Sequence, residues 1–154
     1  MNIHRRDGSL ILDAGGDPPS TLNGAFLFGE DLSDAVLDGI IMEGAMLGSA
    51  KLCKASLRGT DLYWANLDGT DFTGADLDGA DLRGAMLNRT QFRHANLRGA
   101  NFGRDNVGAS TKFSGVNLEG AVLDGARFEG ATYDAQTIFP AGFDPVRHGL
   151  VAAG

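Results

Sequence analysis

The side chains that most often do chemistry are few in this chain and poorly placed for it. His4, His94 and His148 lie in unlike contexts, and none has metal-ligand spacing to another histidine, a cysteine or a carboxylate pair. His94 sits among Arg93 and Arg89, surroundings hostile to a cation. Asp76 and Asp78 could be drawn as a general acid–base pair, yet similar carboxylates recur all along the chain. Cys53 stands alone, which excludes an intramolecular disulfide framework and an all-cysteine metal site and leaves an outward-facing free thiol. The glycines lead into no Gly-Lys-Ser/Thr phosphate loop. The expectation is a protein that is not an enzyme and that needs no cofactor.

Composition narrows the class. The 154 residues suit one domain, and the 23 glycines lack the three-residue period of collagen. Leu and Phe spread through the chain argue against a disordered tract. A formal charge of −7 disfavours nonspecific contact with nucleic acid or an anionic membrane. No run approaches 18 apolar residues, and no apolar signal core follows Arg5 and Arg6. A soluble, cytoplasmic protein is expected.

The ordering signal is a repeat. From Leu22 a large apolar residue recurs every five positions through Val107; one residue is then inserted, and the phase resumes at Phe113 and runs to Ile138. Of these 24 positions 15 are Leu and 5 are Phe, with Ala two residues before in 14 and Gly two residues after in 14, a regularity beyond chance. A period of five spirals around a helix and alternates faces on a strand, so neither element can bury it. The pattern works when the chain turns once per repeat. Ala and Leu, two apart, then point inward from a short extended segment, and the glycine turns the corner.

The sequence here resembles the pentapeptide repeat family, whose consensus is Ala-(Asp or Asn)-Leu-X-X, over residues 20 to 140; Ala75-Asp76-Leu77-Asp78-Gly79 is one copy. The resemblance implies an all-β fold, a right-handed, four-sided parallel β-helix with four repeats per coil. About six coils then stand ~29 Å tall at ~4.8 Å per strand. Residues 1–19 read as an N-terminal cap segment, with a hairpin around Asp7-Gly8 and a flexible stretch from Gly15 to Pro19. Residues 141–154 read as a capping tail, and Phe139 to Pro145 breaks the repeat.

With twenty residues per coil, positions twenty apart stack, or twenty-one apart across the insertion. Asp38, Arg58, Asp78, Arg98 and Glu119 then form one column of alternating charge, and Asp34 lies over Lys54 and Lys51 over Asp71. Glu30 and Asp105 occupy slots that usually hold Ala, which predicts distortion of both repeats. Tyr63 and Trp64 take adjacent outward slots, with Arg83 stacked beside Tyr63, either as a cation–π pair or as a protein-binding hot spot. Phe26, Phe28, Ile41 and Met46, with Val36 nearby, form an outward apolar patch. It reads either as a surface covered by the N-terminal hairpin or as a homodimer interface.

Two functions follow. The first is a rigid scaffold for an unidentified protein partner, with no direct nucleic-acid or membrane binding. The second comes from the resemblance: some family members imitate duplex DNA and bind DNA gyrase, protecting it from quinolones. The arginines Arg83, Arg89, Arg93, Arg98 and Arg104 interrupt the negative field such mimicry requires. A small-ligand site is disfavoured because Leu and Phe fill the interior.

Overall fold

A computed structural model describes residues 2–13 and 21–153, and the stretch expected from Gly15 to Pro19 lies outside them. Each repeat supplies one bridging residue, the one before its large apolar residue, and these residues stack into four parallel ladders. The first face carries Thr21, Ile41, Asp61, Asp81, Asn101 and Arg127. The next carries Phe26, Met46, Asn66 and Met86. It continues into β3 (Lys112–Phe113), β4 (Thr132–Tyr133) and β5 (Val151–Ala152), the last three pairing in parallel. A third carries Asp31, Lys51, Asp71, Gln91, Asn117 and Ile138, and the fourth Val36, Ser56, Asp76, Asn96 and Val122. The fold is a four-sided parallel β-helix.

Local hydrogen bonds explain why five residues make one side. The amide of Leu37 donates to Ser56 O of the next coil at 2.7 Å, while Ala35 N closes a turn onto Leu32 O at 3.1 Å. The third residue of that turn must take positive φ, as in a type II turn. Glycine meets this at no steric cost, as at Gly79 (φ +70°). Asp34, Ser49, Lys54, Trp64, Arg89 and His94 hold the same slot at φ +55° to +59°.

The core is one column of side chains in which Leu37 through Leu97 are fully buried. Towards the C-terminal end it turns aromatic: Phe102 stacks on Phe128 with centroids 5.3 Å apart, and Phe128 meets Phe143 at 5.6 Å. Threonine enters the Ala slot without leaving a polar atom unpaired. The buried hydroxyls of Thr60, Thr70 and Thr90 donate to the carbonyls of Leu37, Leu47 and Leu67 at 2.9, 2.7 and 2.8 Å.

The register corrects the expected phase in two places. Asn101 bridges Arg127 and Met86 bridges Lys112, so the step between neighbouring rungs grows from 20 to 26 residues. Six residues are looped out after Phe102, not one, and Val107 is 78% exposed where a core residue was expected. A second extra residue follows Tyr133. Ile138 therefore bridges Asn117 from the outside, and Phe139 takes the inward place.

At the top, β1 (Asn2–His4) and β2 (Leu10–Asp13) pair antiparallel, Arg5 bridges Ala35, and Ile3 is buried in the core cluster. At the bottom the chain leaves the ladder at Pro140, which has no N–H to donate. Phe143 then stacks with Phe139 and His148.

Candidate functional site

The structure brings Tyr63, Trp64 and Arg83 together on the Thr21 face and adds a partner not foreseen for them, the loop of residues 103–111. Tyr63 and Trp64 follow the bridging residue Asp61, whose carboxylate accepts the Tyr63 amide at 2.9 Å. The Arg83 guanidinium lies 5.4 Å from the Tyr63 ring centre and donates to Asp81 from Nε at 2.9 Å and Nη2 at 2.6 Å. That charge-assisted fork holds Arg83 above its ordinary pKa and fixes its plane over the ring.

Trp64 stands at a corner, so its indole reaches along the solenoid instead of straight out. It covers Gly84, the corner glycine of the next coil, where a Cβ would overlap the ring. Its Nε1 donates to Asp105 Oδ2 at 2.8 Å. The other carboxylate oxygen accepts the amides of Val107 at 3.0 Å and Ala109 at 2.7 Å. Desolvation pushes the Asp105 carboxyl up, but the indole and the loop amides outweigh it and hold the group below its ordinary value. A second tether runs from Arg83 Nη1 to Asn106 Oδ1 at 3.4 Å. The loop is thus pinned at its base by an ionised carboxylate, while Val107 projects from it. A recess of about 260 Å³ between Trp64, Met86 and Ser110 separates loop from coil.

Asp105 therefore distorts its repeat as expected, but as the organising residue of a loop. Glu30 does not: Lys51 N still donates to Glu30 O at 2.9 Å, and its side chain is exposed. The signal that could have found the loop was the pair Trp64 and Asp105, a bulky ring in the corner slot and a carboxylate in the Ala slot.

The other expected sites are placed differently. Phe26, Phe28 and Met46 share one face, with the Phe28 ring against Gly48, whereas Ile41 lies around the corner on the Thr21 face and Val36 beyond it. The hairpin docks along the Val36 edge, with Val36 N donating to His4 O at 2.9 Å, and Phe26 stays 76% exposed. These residues are thus divided over three faces, and that hairpin leaves them exposed. In the charge column, Arg58 meets Asp78 at 3.7 Å, while Asp38 accepts the amide of Arg58 at 2.9 Å and the hydroxyl of Ser56 at 2.7 Å. Glu119 does not belong to the column. Six extra residues place Asp124 beneath Arg98, at 3.3 Å, and Glu119 pairs with Arg93 at 3.2 Å. Cys53 is half-buried; burial, then the neighbouring Asp71, pushes its thiol up.

Among solved structures the chain is similar to alr5209, a pentapeptide repeat protein from Nostoc Pcc 7120. The two are 34% identical over 73% of this chain and 84% of that one, with a TM-score of 0.43. It is also similar to the pentapeptide repeat protein Rfr23 of Cyanothece 51142, at 31% identity, 80% and 67% coverage and TM-score 0.36. A more distant likeness is to QnrB1, a plasmid-mediated fluoroquinolone resistance protein, at 16% identity, 88% and 90% coverage and TM-score 0.37. No curated protein matches the chain. The model of the family described as pentapeptide repeats matches residues 31–69, 65–104 and 109–132 in 8 copies, and the match breaks where the loop leaves the ladder. With five-residue sides, stacked Leu and Phe, and that match over most of its length, the chain belongs to the pentapeptide repeat family.

Proposed function

We infer that the protein is a non-enzymatic scaffold whose partner-binding surface is the Thr21 face around Tyr63, Trp64, Arg83 and the loop tip. The observation that carries this reading is the clamp. Trp64 and Asp105 hold a six-residue insertion in one shape, so that Val107 is presented at 78% exposure on a rigid support. A preorganised apolar tip beside an aromatic pair and an arginine has the composition of interface hot spots, and it spares a partner the cost of ordering a loop. Replacing Val107 by Asp leaves the clamp in place and should abolish capture of the partner from the native host. Tyr63→Ala with Trp64→Ala should do the same. An unchanged set of captured proteins with both variants removes this face from consideration.

Imitation of duplex DNA is the second reading, favoured by the net charge of −7. Duplex DNA carries one negative charge per about 1.7 Å of axis without interruption. The Val36 face instead alternates Asp38, Arg58, Asp78, Arg98 and Asp124, so its field cancels locally. A gyrase supercoiling assay separates the readings: neither inhibition nor protection from a quinolone is expected at micromolar protein.

A further inference from the structure

The Val36 face is one rung short at its lower end. In the four coils above, each rung offers the next the same three backbone groups. Leu37, Leu57, Leu77 and Leu97 donate their amides to Ser56, Asp76, Asn96 and Val122 at 2.7 to 2.9 Å. Gly39, Gly59, Gly79 and Gly99 donate to Arg58, Asp78, Arg98 and Asp124 at 2.8 to 3.0 Å. Ala35, Ala55, Ala75 and Ala95 accept from the following bridging residues at 2.8 to 3.0 Å. In the last rung the equivalents are Leu123 N, Gly125 N and Ala121 O, and among the described residues none has a backbone partner. Of the other faces, the Phe26 face goes on to β5 and the Asp31 face to Ile138, while the Thr21 face ends at Arg127 with only Gly130 N held, by Gly149 O at 3.2 Å.

The chain would supply the missing rung near Phe143, but Pro140 and Pro145 cannot donate to a ladder, and Phe143 N turns back to Pro140 O at 3.1 Å. A groove of about 500 Å³ is left between the strand edge and the tail, lined by Leu123, Asp124, Pro140, Gly142, Phe143 and His148. Its tail side is stiffened by the Phe143–His148 stack, with centroids 4.3 Å apart, and by His148 Nδ1 against Asp144 O at 2.8 Å. Leu123 is only half-buried, unlike Leu97 above it.

We propose that this groove binds an extended peptide that adds a parallel rung below Val122, with an apolar residue under Leu123 followed directly by Lys or Arg under Asp124. The hydrogen-bonding register follows from the four rungs above, the mode being strand addition to an open sheet edge. The basic residue follows from charge: the column alternates down to Asp124, which is 77% exposed, already faces Arg98 above, and has an open place below it. This site lies apart from the Trp64 face and stands or falls independently of it.

The probe is a synthetic peptide copying residues 93–101, whose Asn96-Leu97-Arg98 already forms a rung of this face. In the free protein, the amides of Leu123 and Gly125 should exchange far faster than those of Leu97 and Gly99. Slow exchange at Leu123 means that the edge is already covered and overturns the proposal. Titration should shift the Leu123 and Gly125 amide resonances saturably below millimolar peptide. A peptide with Glu in place of the arginine under Asp124 should bind about fivefold more weakly, and Asp124→Lys in the protein should invert that preference. A peptide N-methylated at the leucine's neighbour Asn96, which donates to Ala121 O in this register, should not bind. Equal shifts with all three peptides, no shift at millimolar peptide, or shifts that grow with protein concentration alone, the mark of a second copy in the groove, each overturn it.

Discussion

From Leu22 to Phe102 the chain never leaves a twenty-residue coil, and from Phe113 onward it keeps the same faces at spacings of 26, 21, 20 and 19. The upper coils are packed with Leu and close their corners mostly with glycine. The lower ones carry Phe102, Phe113, Phe128, Phe139 and Phe143, a projecting loop and an unfinished face. Both regions bury the same kind of column. The difference teaches that backbone pairing, not counting along the chain, sets the register. A corner can expel six residues because the next strand still finds the amides and carbonyls of the coil above.

The sharpest way to break the comparison is to remove a core residue from each region. Phe102 is fully buried and meets Phe92, Phe113 and Phe128, so Phe102→Ala should cost about 3–5 kcal/mol in denaturant unfolding. Leu52→Ala, equally buried, should cost about 2–4 kcal/mol. If the lower region unfolds as one with the upper, both variants shift a single transition; a second transition in Phe102→Ala alone would mark the loop as a boundary between cooperative units.

Corners differ too. Gly79 and Gly84 both have positive φ, and any Cβ there costs about 1–2 kcal/mol in the left-handed region. At Gly79 nothing else stands in the way, whereas at Gly84 the Trp64 indole does. Gly84→Ala should therefore cost more than Gly79→Ala, by about 1 kcal/mol as the ring is displaced. Equal losses would show that the indole yields freely and that the clamp is weak.

The loop itself should matter less to stability than to shape. Deleting residues 104–109 joins Gly103 to Ser110 and makes Phe102-Gly103-Ser110-Thr111-Lys112-Phe113 an ordinary repeat, with Thr111 keeping the Ala slot. The variant should fold with a twenty-residue register as far as Tyr133 and change stability by no more than about 1 kcal/mol, since a shorter loop offsets the lost Asp105 contacts. A variant that fails to fold would show that the insertion is needed to start the lower coils.

Much of this was legible in the residues. The four-sided solenoid, the inward Ala and Leu and the positive-φ corners follow from a period that no straight element can bury. The loop was hidden because Val107, Ala109 and Lys112 fit a repeat phase well enough to be read as one more side. Spacing measures distance along the chain, while the ladder measures hydrogen bonds, and a loop of one side plus one residue has the same spacing as a single insertion. The Trp64 site was half visible: Tyr63 and Arg83 stack by register, but Asp105, 41 residues from Trp64, meets the indole only because the loop folds back. The patch around Phe26 is outward as expected but divided over three faces for a related reason, since neighbours in sequence turn corners between them.

Acid tests the clamp directly. Because the carboxyl of Asp105 is held below its ordinary value in the folded chain, its contribution is present at neutral pH and is lost as pH falls through that lowered value. Trp64 is the single tryptophan, so its emission should shift at that point as the loop is released. Asp105→Ala should show the shifted emission already at neutral pH and no further acid step. A wild-type titration without a step attributable to Trp64 would break the link between loop and ring.

The smallest effect is the most discriminating for register. If the loop expels six residues, Arg98 couples to Asp124 and not to Glu119; if it expelled one, the reverse would hold. Both acids are exposed, so the coupling is only about 0.2–1 kcal/mol and fades with salt. Double-mutant cycles with Arg98→Ala should give that energy with Asp124→Ala and none with Glu119→Ala. Arg93→Ala should show the opposite pattern. Swapping partners in this way reads the register in solution without disturbing the core, because a slip of one side along the ladder moves every charge on the Val36 face to its neighbour and leaves Leu facing inward either way.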